Sequence, residues 1–257
     1  MIYMNTFYDL KKYGNPNGKE WKRFIITILV LMFIIGFNDR SGKTIGPDYF
    51  LNMILVLIIL VFSIIISNLV SRYHTSWTGY KSEYSFSING LLIGLMLAFV
   101  SNGYFWYLAP GYHIINMNET GRLGHFRYGL RMKDWARTAA SGSMTYFLLA
   151  LIAFISAQGN PFIDLFVKIN IALGFYSLLP FPENNGLNIF FGERTLYFFC
   201  LFTSIGIWLS MKFITNFFGI ILMGILIGCI ILYLWFSGVE GRTVNEKSAP
   251  TLFGEKK

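Results

Sequence analysis

The stretch SLLPFPENNGLNIFFG, Ser177 to Gly192, separates two strongly apolar segments of the chain. Pro180 and Pro182 lack a backbone N–H donor, so they end the helix that precedes them. Gly186 permits a tight turn after the polar residues 183–185. Backbone groups that are freed in this way between apolar segments need partners within the protein. The sequence therefore predicts a structured turn whose polar groups are sheltered by other parts of the molecule.

The composition is that of a helical membrane protein. Of the 257 residues, 54% are hydrophobic and 13% are charged, whereas about 25% are charged in an ordinary soluble domain. Several apolar segments approach or exceed the roughly 18 residues of a membrane-crossing helix. These segments are 21–38, 49–70, 86–108, 139–157, 162–180, 195–213 and 217–236. We expect an all-α polytopic membrane protein with an N-terminal arm (1–20), a transmembrane domain (21–236) and a C-terminal tail (237–257).

The distribution of positive charge predicts the topology. Lys and Arg are densest in the loop 109–138 and around the N-terminal arm, which would face opposite sides if all seven segments crossed. If 86–108 enters and leaves by the same face, 17 of the 21 Lys and Arg lie on one side, as the positive-inside rule favours. The sequence thus predicts six crossings, one re-entrant hairpin and cytoplasmic termini. The net charge of +8 then needs no nucleic-acid partner.

A few polar or reactive residues lie within or next to the apolar segments. Asp164 and Lys168 are four residues apart, and intramembrane ionisable residues often mark transport pathways. The alternative is an intrahelical ion pair with a snorkelling lysine. Arg72 is interpreted as an interfacial anchor. Cys200 and Cys229 both lie in apolar segments and are not expected to form a disulfide.

Three stretches together carry a family resemblance. They are SNLVSRYHTSWTGYKSEY (67–84), LAPGYHI (108–114) followed by TAASGSMTYFLLALIAF (138–154), and the turn at 177–192. Their order, spacing and membrane context resemble the site-2 protease family of intramembrane zinc metalloproteases, in its archaeal and bacterial form. The resemblance covers about residues 49–192. It implies a site-2-protease-like helical core and a prokaryotic cell membrane.

The same resemblance implies that the catalytic groups of the family are missing. Its H-E-x-x-H motif falls on Ser67, Asn68 and Ser71, and its aspartate ligand falls on Asn185. Ser and Asn side chains are poor zinc ligands, so we expect no catalytic residue, no metal and no cofactor. Three histidines leave a displaced zinc site open as an alternative: His74, His113 and His125.

The polar positions have two interpretations, which are small-residue packing between helices and a groove retained for a partner helix. The groove would comprise Ser67, Asn68, Ser71, Pro180, Pro182, Asn184, Asn185 and Gly186. Our leading hypothesis is a pseudoprotease that acts as a binding or assembly subunit of a membrane-protein complex. Its expected partners are membrane lipids and other transmembrane proteins. The alternatives are an active metalloprotease with displaced ligands and a small transporter.

Overall fold

The computed structural model describes residues 16–37, 47–78, 80–117, 131–156 and 159–240. This part of the chain folds into eight α-helices and a two-stranded antiparallel sheet. The helices are α1 (Gly18–Gly36), α2 (Pro47–Trp77), α3 (Ile88–Val100), α4 (Met132–Ser156), α5 (Pro161–Leu178), α6 (Asn185–Gly192), α7 (Arg194–Ser210) and α8 (Phe217–Trp235). The strands are β1 (Tyr80–Ser85) and β2 (Tyr112–Met117), and a π-helical turn, Phe236–Glu240, follows α8.

Helix α4 lies at the centre of the bundle. It contacts α2, α5, α6 and α7. Its most apolar window is 56% buried, compared with 17% for the last helix. The elements that carry the candidate site therefore all pack on one central helix.

Among the described residues, four helices are long and apolar enough to cross a membrane, which agrees with an integral membrane protein. They are Tyr49–Trp77, Met132–Ser156, Pro161–Leu178 and Phe217–Gly238. Helix α7 is apolar but has 17 residues. Helix α1 has 19 residues, yet its first two turns carry Lys19, Glu20, Lys22 and Arg23. The six crossings that the sequence predicts thus include two helices that are shorter or more charged than the other four.

The described chain is mostly helical, as predicted, but its two-stranded sheet is a departure from the all-α prediction. Strand β1 pairs with β2 in antiparallel register, from Tyr80 opposite Met117 to Ser85 opposite Tyr112. Ser82 and Tyr84 are buried at alternating positions of β1, as the period of two in a strand requires. The strand residues fall outside or between the apolar segments, so a search for long apolar runs does not detect them.

The segment between the strands folds back on itself. Its two ends are adjacent because Ser85 pairs with Tyr112, and the 13 residues of α3 extend only about 20 Å. Asn102 and Gly103 reverse the chain with φ angles of 51° and 75°. A Cβ on Gly94 would lie 2.5 Å from the carbonyl oxygen of Tyr107, so the returning chain packs closely on α3. A re-entrant hairpin requires a chain reversal of this kind. The depth to which this segment enters a bilayer stays a prediction.

The terminal boundaries differ from those predicted. Residues 1–15 and 241–257, most of the predicted N-terminal arm and C-terminal tail, lie outside the described residues. Helix α1 begins at Gly18, so the last three residues of the predicted arm are helical. Glu20 is the reason for this difference, because its carboxylate accepts a hydrogen bond from the backbone N–H of Asn17 (2.8 Å) and stabilises the first turn.

A buried ion pair joins α1, α2 and β1. Arg72 Nη2 lies 3.0 Å from both carboxylate oxygens of Glu20, and both side chains are 4% exposed. The carboxylate also accepts a hydrogen bond from the backbone N–H of Tyr84 (2.8 Å). Arg72 is therefore not the interfacial anchor that the sequence suggests, because its charge is enclosed with a carboxylate from another helix.

We expect the substitution Glu20→Gln to destabilise the protein by about 3–5 kcal/mol, because it leaves the buried guanidinium of Arg72 without a counter-charge. Thermal and denaturant unfolding in mild detergent measures the change. The matched control is Glu83→Gln, which breaks the half-exposed Lys81–Glu83 pair and should cost at most about 1 kcal/mol. Equal effects of the two substitutions would show that the buried pair does not hold α1 in place.

Candidate functional site

The polar face of α2 packs directly on α4. Ser67 donates a hydrogen bond from Oγ to the carbonyl oxygen of Gly142 (2.8 Å). A Cβ on Gly142 would overlap Ser71 Oγ. Ser67, Ser71 and Gly142 are thus in close contact and fully enclosed, as is typical of small-residue interfaces between membrane helices.

Asn68 belongs to the ion-pair network and not to an open cavity. Its Oδ1 accepts a hydrogen bond from Arg72 Nε (3.3 Å), one helical turn further along α2. Arg72 in turn binds Glu20. The amide of Asn68 therefore helps to fix the guanidinium, which is an ordinary structural role for an amide at spacing i, i+4.

The turn after α5 divides into an exposed half and a buried half. Pro180 and Pro182 are exposed, whereas Asn184, Asn185 and Gly186 are buried. Asn184 donates from Nδ2 to the carbonyl oxygen of Tyr176 (2.6 Å). This bond satisfies one of the backbone acceptors at the end of α5.

Two backbone features fix the shape of this turn. Glu183 adopts a φ of 60°, a left-handed conformation that is uncommon for a residue other than glycine. A Cβ on Gly186 would overlap the carbonyl group of Leu178, so only glycine fits at that position. The sequence predicts that Gly186 permits the turn, and the reason in the structure is the close approach of the Leu178 carbonyl and not a positive φ; nothing in the sequence marks Glu183 as strained.

Three acceptor oxygens in the turn find no hydrogen-bond donor among the described residues. They are Glu183 Oε2, Asn184 Oδ1 and Asn185 Oδ1. Most buried polar atoms in folded proteins are paired, so each exception needs an explanation. These three oxygens are themselves buried, and Ser71 Oγ on α2 is likewise without a hydrogen-bond partner among the described residues.

The predicted groove is only partly assembled by the structure. Ser67 and Ser71 lie against α4, and α6, which begins at Asn185, also packs on α4. The prolines lie on the outside of the turn, so they do not line an interior groove. Ser67 and Asn185 are 4% exposed, so neither side chain points to lipid. A single cavity shared by α2 and the turn stays a prediction.

The residues at the family's ligand positions do not fit a zinc ion. Zinc takes imidazole, thiolate or carboxylate ligands, and these positions carry hydroxyl and amide groups that face Gly142 and Arg72. Within the described ranges, no three His, Cys, Asp or Glu side chains are grouped so that they could hold a metal. His125 lies outside those ranges. We therefore derive no chemical step through zinc.

The two described histidines have separate structural environments. Nδ1 of His74 lies 3.2 Å from Thr138 Oγ1, which links α2 to α4. His113 lies in β2, with its ring packed edge-on against Tyr84. Burial first, and then the positive charge of Arg72, lower the pKa of His113 to about 3. His113 is therefore neutral at physiological pH and is enclosed, unlike the loop residue that the sequence suggests.

Asp164 and Lys168 are both exposed on α5. Asp164 lies in the first turn of the helix, where a negative charge interacts favourably with the helix dipole. The ion pairs of the described chain are Glu20–Arg72, Lys81–Glu83 and Arg137–Glu193, and they do not include the Asp164–Lys168 pair that the i, i+4 spacing suggests. Lys168 is left on its own within an apolar surface.

Sequence reasoning missed two of the residues on which the site depends. The sequence alone places Glu20 in the polar N-terminal arm. However, Glu20 lies one turn before an apolar run and three residues after Asn17, and this spacing is a capping signal. Tyr146 lies four residues after Gly142 and is fully buried, so the two share a helix face. The spacing of Gly142 and Tyr146 therefore indicates which face of α4 packs on α2.

We expect Gly142→Ala to be destabilising in the wild-type chain and much less so in a Ser71→Ala background. The added Cβ overlaps Ser71 Oγ, and overpacking of this kind costs about 1–3 kcal/mol. A double-mutant cycle measured by unfolding in detergent gives the coupling energy, which should be about 1 kcal/mol. Gly18→Ala is the control, because nothing lies within 4 Å of its Cβ. A coupling energy near zero would refute the contact.

We expect His113 to make stability fall as the pH is lowered from about 6.5 towards 3. In the unfolded chain the imidazole binds a proton near pH 6.5, whereas in the folded chain it stays neutral down to about pH 3. Stability is thus full above pH 6.5 and decreases by up to about 1.4 kcal/mol per pH unit below it. His113→Gln should remove this part of the pH dependence. If wild type and variant keep parallel stability curves between pH 7 and 5, the histidine is not buried in its neutral form.

Comparison of the chain with protein-family models, with curated proteins and with solved structures finds no match. The function is therefore argued from the site itself. The resemblance to the site-2 proteases rests on the three stretches of sequence given above.

Proposed function

We propose that this chain is a catalytically silent integral membrane protein that serves as a binding or assembly subunit of a membrane-protein complex. In this proposal its core, about residues 49–192, is a degenerate site-2-protease-like scaffold. The support comes from Ser67, Asn68 and Ser71. Their side chains connect helices and bind a guanidinium, and they supply neither a general base nor a good zinc ligand.

The proposal includes a topology of six crossings. Helices α1 and α7 cross in addition to the four longer apolar helices, and the segment 86–108 enters and leaves by one face. The pairing of Ser85 with Tyr112 supports this arrangement, because it keeps both ends of the segment together. The Lys and Arg distribution supports cytoplasmic termini, and the resemblance supports a prokaryotic cell membrane.

The turn at 180–186 is the proposed partner-binding surface, and its exposed apolar residues are the observation that carries the proposal. Pro180, Phe181 and Pro182 form the exposed side of the turn. The acceptor oxygens of Glu183, Asn184 and Asn185 that have no donor in the described chain are buried on its inner side, where a partner does not reach them. A partner helix or loop would bury the exposed apolar side.

The two alternative functions require groups that the described chain does not bring together. An active metalloprotease needs at least three converging ligands, and no such group is present in the part of the chain that the structure describes. A transporter built on Asp164 and Lys168 needs them to face a shared polar pathway, but both side chains lie on the exposed face of α5. The binding or assembly function is therefore the one that the arrangement of residues supports best.

Photocrosslinking in native membranes tests the partner surface. We replace Phe181, which is 47% exposed, by p-benzoylphenylalanine and use the same replacement at Phe213, which is 85% exposed, as the matched control. The 181 variant should give a discrete heavier product that contains a second protein. The added substitution Pro182→Glu should decrease that product several-fold, because it places a charge in the exposed apolar surface that the partner would bury.

The control position decides how the result is interpreted. Phe213 follows the end of α7, whereas Phe181 follows the end of α5. A product at 181 that is absent at 213 supports a specific surface. The absence of any product at 181, or the same product at both positions, would contradict a partner at the turn.

A further inference from the structure

Lys168 lies in an unusual position for a cation. It is exposed on α5, a helix that is long and apolar enough to cross a membrane. It follows the first helical residue, Pro161, by seven positions, which is about 10 Å along the helix axis. The ion pairs among the described residues do not include it. A positive charge at this depth costs free energy unless an anion accompanies it.

Two cavities meet at Lys168 and differ in polarity. The first, of about 350 Å³, extends towards the start of α5 and is lined by Tyr49 and Asn52. The second, of about 570 Å³, extends deeper between α5 and α7 and is lined by Phe175 and Ile205. The first cavity is the more polar of the two, although apolar side chains such as Met53 and Leu165 also line it. A phospholipid likewise joins a polar headgroup to apolar acyl chains.

A second lysine borders the deeper cavity. Trp208 lines that cavity, and the ammonium group of Lys212 lies 4.3 Å from the centroid of its ring. Val167 and Met211, the neighbours of the two lysines in sequence, belong to one buried cluster. Both lysines therefore border the deeper cavity, Lys168 directly and Lys212 through Trp208.

We propose that this surface is a binding site for an anionic phospholipid. The phosphate binds Lys168 and Lys212, an acyl chain lies along Phe175 and Ile205, and the headgroup extends towards Tyr49 and Asn52. An anionic lipid supplies the counter-charge that the lysines lack in the described chain, whereas a zwitterionic lipid supplies no net charge. Two cations beside an apolar groove thus select for the headgroup charge.

Fluorescence quenching by brominated lipids tests the site, because bromine on an acyl chain quenches a tryptophan that it touches. The protein is reconstituted into phosphatidylcholine vesicles that contain a small fixed fraction of brominated phosphatidylglycerol or brominated phosphatidylcholine. The signal of Trp208 is the difference between wild type and Trp208→Phe. Brominated phosphatidylglycerol should associate more strongly with the groove, by about fivefold for each lysine.

Charge variants show whether the lysines cause the preference. Lys168→Met and Lys212→Met should each lower it about fivefold, and the double variant should quench equally with both lipids. Lys168→Arg keeps the charge and should keep the preference. The control is Lys133→Met, at an exposed lysine in the first turn of α4, which should leave the preference unchanged.

The wild-type measurement can refute the proposal without any lysine variant. Equal quenching of Trp208 by the two brominated lipids would mean that the groove does not select an anionic phospholipid. An undiminished preference in the folded double variant, or an equal loss in Lys133→Met, would assign the preference to the general charge of the protein and would also overturn the site.

Discussion

The buried ion pair between Glu20 and Arg72 determines how the first half of the chain assembles. Each charge would be costly to bury alone, so the two must meet, and this requirement brings α1 and α2 together. The same carboxylate binds the backbone of Tyr84 and thereby positions β1. Pairing of β1 with β2 then brings the ends of segment 86–111 together.

The ion pair also determines which side chains of α2 remain available for function. Arg72 engages Asn68, and the adjacent hydroxyl face, Ser67 and Ser71, packs on Gly142 of the central helix α4. Helix α2 therefore uses Ser67, Asn68 and Arg72 in contacts within the protein. Within the described residues, the turn at 183–185 holds three buried acceptors without a donor, and its exposed side carries Phe181 and the two prolines.

The features that the sequence predicted are those with local causes. Apolar runs predicted seven of the eight described helices, and Pro180 predicted where α5 ends, whereas the short helix α6 follows the turn without a predicted segment of its own. The missed features depend on contacts between distant residues: Glu20 and Arg72 are 52 positions apart, and β1 and β2 form a sheet only because they pair with each other. The close approach of Ser71 to Gly142 likewise depends on how α2 and α4 pack. Neither composition nor periodicity contains that information.

The zinc content of the purified protein tests the central claim that this scaffold holds polar packing contacts in place of a metal site. The wild-type chain is expressed with zinc in the medium, purified without chelators, and analysed by inductively coupled plasma mass spectrometry, with a folded state verified by cooperative unfolding. We expect far less than one zinc per chain, because the hydroxyl and amide groups of α2 are poor ligands, and those of Ser67 and Asn68 already have partners in the fold. A stoichiometry of about one zinc per chain would contradict this account and would favour an active metalloprotease.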